Sequence, residues 1–322
     1  MKRRSLLAAA PLALLPGLVR AQTFPERPLH FVVPYAPGGS TDTSARIVGE
    51  KLAVLLGQPV VVENKPGGGT IIGTEFVARA KPDGHTFLLT PAALIANAAF
   101  GMSVPYDINK DLVPVTRFVD LPMLLAANKD APYKSVAELR AWPQANPGRS
   151  IAYASASIGS LTHLWGEYVK AHTGLPLEHV GYKGSAEALR DVVAGHVPLF
   201  FDVLVPTAAA IRSGQLRGLA VAMSERSELL PGVPTVGEAG LAGLEGSVPF
   251  GISLPGGTPE PVVMRLNAAF NEALSDPATR AKLVELGFVP IGGKPQDYAA
   301  LLSSEIAKWR KVIKDSKIPP PS

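Results

Sequence analysis

Four runs rich in glycine, serine and threonine stand where an apolar, β-branched segment gives way to an amphipathic one. They are Pro37-Gly38-Gly39-Ser40-Thr41-Asp42, Pro66-Gly67-Gly68-Gly69-Thr70, Ser155-Ala156-Ser157-Ile158-Gly159-Ser160 and Lys183-Gly184-Ser185. A turn of this kind after a strand opens a helix whose first N–H groups lack intrahelical partners and carry about half a positive charge. Such a terminus attracts carboxylate or phosphate. In an open parallel sheet these turns converge beyond the carboxyl ends of the strands, where ligands sit. A single loop needs Gly and Ser only to turn and cap. Several on alternate strand ends point to a shared anion site.

Side chains near these turns carry two readings each. Asp42 either holds a ligand amine or water, or complements the dipole from the first turn of its helix. His163 falls four positions after Gly159, so it either faces the mouth of the site or is a satisfied core or surface histidine. Asp202 follows Leu199-Phe200-Phe201, an apolar context in which an acid must find donors, as a cleft group or in a hinge bond. Tyr35 and Phe250 wall a pocket or sit in the core; Trp165 is assigned to the core.

Catalytic signatures are missing. There is no Gly-x-Ser-x-Gly elbow, His-Glu-x-x-His pair or Asp-rich metal loop, and the six histidines are scattered. The Gly-rich loops lack both the Lys-Ser/Thr ending of a P-loop and the Gly-x-Gly-x-x-Gly of a dinucleotide fold. No enzyme, metal site or cofactor is expected. The absence of cysteine also removes disulfides, thiolate metal sites, a Cys nucleophile and a Cys-linked lipid anchor.

The elements that must position these turns alternate along the chain. Strand patterns cover Leu29–Val33, Val60–Asn64, His85–Leu89, Met123–Ala127, Ser150–Ala154, His179–Tyr182, Leu199–Val203 and Leu216–Met223. Helix patterns follow several of them: one with Val48, Leu52, Leu55 and Leu56 on a face, one about Thr74–Ala80, and one opened by Ser135 with Glu138 at N3. Others carry Leu161, Leu164, Trp165, Tyr168 and Val169, or cover Ala186–Val193. Short βαβ units predict an α/β fold with mainly parallel sheets and right-handed crossovers. Pro259–Leu274, Pro277–Leu286 and Gln296–Ile313 add a helical tail. The division expected is lobe 1 from 22–121 and 224–322, and lobe 2 from 122–223, hinged near Phe118–Ala127 and Leu219–Ser224.

At 322 residues, 47% hydrophobic and 18% charged, the chain is long enough for two domains and too apolar for a disordered one. Residues 1–21 form a cleavable signal peptide: basic Lys2-Arg3-Arg4, an uncharged Leu- and Ala-rich run, then Val19-Arg20-Ala21. Arg3-Arg4 also matches a twin-arginine signal. Those 21 residues hold four of the 31 basic side chains and no acid, so the mature chain carries 27 bases against 27 acids. Without a basic surface, nucleic acid drops out as a partner.

The chain resembles the Bug family of periplasmic solute-binding proteins, receptors of tripartite tricarboxylate transporters. The segments that carry the likeness are Val33-Pro34-Tyr35-Ala36-Pro37-Gly38-Gly39-Ser40-Thr41-Asp42, Gly57-Gln58-Pro59-Val60-Val61-Val62-Glu63-Asn64 and Pro82-Asp83-Gly84-His85-Thr86. They continue as Gly159-Ser160-Leu161-Thr162-His163, Tyr182-Lys183-Gly184-Ser185, Pro234-Thr235-Val236-Gly237-Glu238-Ala239-Gly240 and Pro255-Gly256-Gly257-Thr258-Pro259. The resemblance implies a two-lobed, type II periplasmic-binding fold that closes like a trap on a small organic carboxylate. It implies a grip by backbone N–H groups and waters at Tyr35, Ala36, Pro37, Gly38, Gly39, Ser40, Thr41 and Asp42, and at Ser157, Ile158, Gly159, Ser160 and His163. Thr70, Lys183, Gly184, Ser185, Asp202 and Phe250 would form the distal, discriminating wall. A monomer delivering its acid to membrane permease subunits is expected; a secreted hydrolase or isomerase and an orphan sensor are the alternatives. The chain departs from the family at Thr70-Ile71-Ile72-Gly73, where Gly-Asn-Ile-Gly is frequent. It also has Ser157 for Gly, Gly181 for Pro and Phe250 for Trp.

Overall fold

A computed structural model describes residues 24–321; the segment 1–21, expected to be a signal peptide, lies outside them. The first half runs β1 (Leu29–Val33), α1 (Ser40–Leu56), β2 (Val60–Asn64), α2 (Ile71–Ala78), β3 (Thr86–Thr90), α3 (Ala93–Phe100) and β4 (Leu112–Asn128). Next come α4 (Val136–Ala145), β5 (Ile151–Ser155), α5 (Leu161–Thr173), β6 (Leu177–Gly181), α6 (Ser185–Val193), β7 (Leu199–Val203), α7 (Leu204–Arg212) and β8 (Leu216–Val221). The chain ends with β9 (Ser247–Pro255), α8 (Glu260–Ser275), α9 (Pro277–Glu285), β10 (Val289–Gly292) and α10 (Pro295–Asp315).

The strands lie in the order β2-β1-β3-β9-β4-β7-β5-β6, with β10 and β8 pairing β4 off this path. The parallel βαβ expectation holds at both flanks, where β1 pairs β2 and β3, and β5 pairs β6 and β7. The centre differs. Here β4 and β9 run antiparallel to each other and to their neighbours. β4 is 17 residues long, and only its second half matches the expected Met123–Ala127 strand. The first half carries Pro114, where a register shift follows in the pairing with β9, a position that tolerates a missing N–H.

β4 is continuous across the molecule. Its first part pairs β9 and β10, and its second part β7 and β8. The segment that leads from β8 back to β9 meets it at Met123, which donates its N–H to the Gly246 carbonyl (3.1 Å) and accepts from Ala222 (2.9 Å).

Two aromatic-centred cores flank that seam. Phe31, Phe87, Phe118 and Phe270 pack with centroids 4.8 to 6.3 Å apart, uniting β1, β3, β4 and α8. Truncating any one of them to Ala should cost about 3–5 kcal/mol. On the other side Phe201 meets Tyr153 and Trp165 at 4.9 and 5.3 Å, and the Trp165 indole donates to the Leu244 carbonyl, so Trp165 is core as its pattern indicated. Leu302, Trp309 and Val312 of α10 lie in this second cluster, so the C-terminal helix bridges both halves.

Candidate functional site

A cavity of about 630 Å³ opens where β1, β2, β3, β5 and β7 end. Its lining residues come from the segments following the first four of these strands, Tyr35, Gly68 and Gly69, Ala92 and Ala93, and Ala156 to Thr162, and from the last two residues of β7, Asp202 and Val203. Leu121 of β4 and Val248 of β9 close it from the seam. Among the described residues that line it there is no Lys, Arg or His, and Asp202 is the only carboxyl.

The α5 turn supplies the polar rim. Ser160 caps the helix: its hydroxyl accepts the His163 N–H and donates to the Ser157 carbonyl (2.7 Å). The first intrahelical bond runs from Leu164 N–H to the Ser160 carbonyl, so the amides of Leu161 and Thr162 precede it and remain unpaired within the helix. Both residues line the cavity. Gly159 lies at φ +77°, and a Cβ there would come within 2.9 Å of Pro321, which packs over it and completes the lining.

His163 does not face the mouth. Its Nδ1 accepts the Gly159 N–H (3.1 Å), and its ring stacks on His179 at 3.7 Å. Burial, helped by the nearby His179 and Lys170 charges, lowers its pKa to about 3, so it is neutral and serves as an acceptor that fixes the turn.

The first loop is braced in the same manner. Asp42 accepts from the Gly38 amide (2.9 Å), from Nε and Nη2 of Arg46 (both 3.0 Å) and from Asn64 Nδ2 (2.9 Å). Burial alone would raise its pKa, but these donors together outweigh it and hold the carboxylate below its ordinary value. Asp42 therefore ties β2 to the loop, and no ligand amine is needed to satisfy it. Of the residues from Tyr35 to Asp42, the cavity wall includes only Tyr35. Burial raises the Tyr35 phenol, which stays protonated as a donor, and its ring leans edge-on against Phe250 at 6.2 Å. Phe250 is buried behind Tyr35 rather than in the wall.

In the second Gly turn, Gly68 and Gly69 touch the cavity while Thr70 is buried outside the lining. Thr70 has φ +81°, a left-handed conformation costing about 1–2 kcal/mol for a residue with a Cβ. Lys183 and Gly184 are also outside the wall; Lys183 donates its N–H to Glu187. Ser185 stands at the start of α6 beside Asp202. Asp202 is 1% exposed, takes the Val203 N–H on Oδ1 (2.8 Å) and leaves Oδ2 without a partner.

Sequence reasoning missed the α3 wall. Ala92, Ala93 and Ala96, with Asn97 and Met102, line one side. Thr90-Pro91-Ala92 follows β3 as the other turns follow their strands, but it lacks the glycine signature. The small residues at Ala93 and Ala96, one helical turn apart, were the available signal.

Residues 44–318 match the family described as tripartite tricarboxylate transporter family receptor, TctC. The chain is 36% identical over 300 residues to protein BugT of Bordetella pertussis, covering 92% of each. Among solved structures, R. palustris Rpa4515 with adipate aligns at 36% identity and TM-score 0.77, over 92% of this chain and 99% of that one. MatC of Rhodopseudomonas palustris with bound malate aligns at 34% and TM-score 0.72, over 90% and 100%. A family match over most of the chain, joined by relatives and solved structures that are periplasmic binding proteins, leads to one assignment: the chain belongs to the TctC receptor family, as a periplasmic solute-binding receptor and not an enzyme.

Proposed function

We propose that this receptor grips the carboxylate of a small organic acid in the strand-end cavity and delivers it to the membrane subunits of a tripartite tricarboxylate transporter. The observation that carries this reading is the start of α5: the amides of Leu161 and Thr162, without partners inside the helix, lie at a cavity with no cationic side chain among its described lining residues. An anion there is held by main-chain N–H groups and helix dipole. The bound malate and adipate of the two structural relatives support the same ligand chemistry. Tyr35, Ser157, Ile158, Gly159 and Ser160 complete the grip as wall residues, while Gly38, Asp42 and His163 hold the loops in shape. Lobes of residues 22–121 with 224–322 and of 122–223 close about the β4–β9 seam, and ligand stabilises the closed form by its higher affinity for it.

Leu161→Pro tests the grip. Pro is compatible with the first helical position yet has no N–H, and Leu161→Ala controls for the lost side chain. Calorimetry with malate and adipate should show the Pro variant binding about tenfold more weakly than the Ala variant. Equal affinities would remove the α5 amide from the site. Failure of the wild-type protein to bind any carboxylate, or conversion of the ligand by it, would overturn the receptor reading. For delivery, a strain lacking the gene should lose uptake of the bound acid and regain it with the wild-type chain but not with Leu161→Pro.

A further inference from the structure

Asp202 is the one charged side chain among the described residues of the cavity wall, and the carboxylate grip makes no use of it. It is buried, with one oxygen paired to the Val203 amide and the other, Oδ2, unpartnered. A buried polar atom without a partner is costly, and the cost is removed by a guest that donates to it. An anionic guest makes the arrangement worse, because no cation in the wall offsets the two negative charges.

The sheet register says which part of the guest Asp202 meets. β5 and β7 are parallel neighbours with Ala154 opposite Phe200. Two residues further on each strand direction, Ala156 and Asp202 both line the cavity. Adjacent strands lie about 4.8 Å apart, so Asp202 stands beside the turn that leads to the α5 amides and not at the opposite end of the cavity. The register thus points to the carbon atoms next to a carboxylate held by those amides, rather than its remote end, as the part of a guest nearest Asp202.

We propose that Asp202 is a second subsite, selecting acids that carry a hydroxyl or ammonium group on the carbon next to the gripped carboxylate. This rests on the carboxylate reading above. The neighbouring elements bring no charge to it: β4 presents Leu124 opposite, α6 the Ser185 hydroxyl, and the remaining titratable group of the wall is the Tyr35 phenol. Burial raises the Asp202 pKa to about 6 against the pull of the Val203 amide and of the Ser185 hydroxyl, which stands beside the carboxyl but does not reach hydrogen-bond geometry with Oδ2. At pH 8 it is an ionised acceptor, which makes the strongest hydrogen bond to a donor.

Two matched pairs test the proposal by calorimetry at pH 8: succinate with malate, and hexanoate with 2-hydroxyhexanoate. In each pair that binds, the hydroxylated acid should bind at least about tenfold tighter, and 6-hydroxyhexanoate should gain nothing over hexanoate. Asp202→Asn, equal in shape, should cut the advantage to below about threefold. Equal affinity within the pairs, or an advantage that survives Asp202→Asn, overturns the Asp202 subsite while leaving the carboxylate reading intact. No binding of any of these acids by wild type overturns both.

Discussion

The rings of His163 and His179 stack face to face at 3.7 Å inside the second half of the molecule. Burial lowers both, to about 3 and about 4, whereas in the unfolded chain each titrates near 6.5. Between those values the unfolded state binds the extra protons, so their contribution to stability is complete above about pH 6.5 and is lost as pH falls towards 4. Asp202 acts in the opposite sense: its raised pKa means the folded state binds the proton first, and stability from it grows as pH falls from about 6 towards 3.8. His163→Gln, whose amide oxygen can still accept from Gly159, should reduce the acid loss by on the order of 2 kcal/mol between pH 7.5 and 4.5. Urea unfolding at the two pH values measures it. Residue types announced a polar turn here correctly, but not which polar atoms were spare. Gly38 and Gly159 each donate to a side chain four residues on, an economy that only coordinates reveal.

At the scale of elements, βα alternation was readable because period and capping agree: Ser135 caps α4 as its spacing indicated, and Gly57 ends α1 at φ +69°. The central strands were less legible. β4 carries prolines and polar residues that only its two-sided pairing explains, and β9, β10 and α7 lacked a pattern strong enough to separate them from loops. β9 also carries a packing requirement that sequence cannot express. At Gly251 a Cβ would lie 1.9 Å from the Tyr298 ring, so the bare backbone there is the seat on which α10 docks. Gly251→Ala should destabilise the protein by about 2–3 kcal/mol through overpacking. The check is a lowered denaturation midpoint that the double variant Gly251→Ala/Tyr298→Leu partly restores.

For the whole molecule, the continuous β4 and the α10 bridge define what can move. A strand shared by both halves permits bending at the seam but not separation, which suits the closure proposed above. The export expected from residues 1–21 is also a whole-chain property. Cleavage after Ala21 should leave a mature protein beginning at Gln22, with no formal net charge; intact-mass measurement on the periplasmic fraction reads the boundary directly. Pro321, resting on Gly159 at the rim, has a practical consequence. A fluorescent reporter attached to the chain at this point would stand beside the cavity entrance, so a biosensor built that way would report on crowding there as much as on the concentration of a guest.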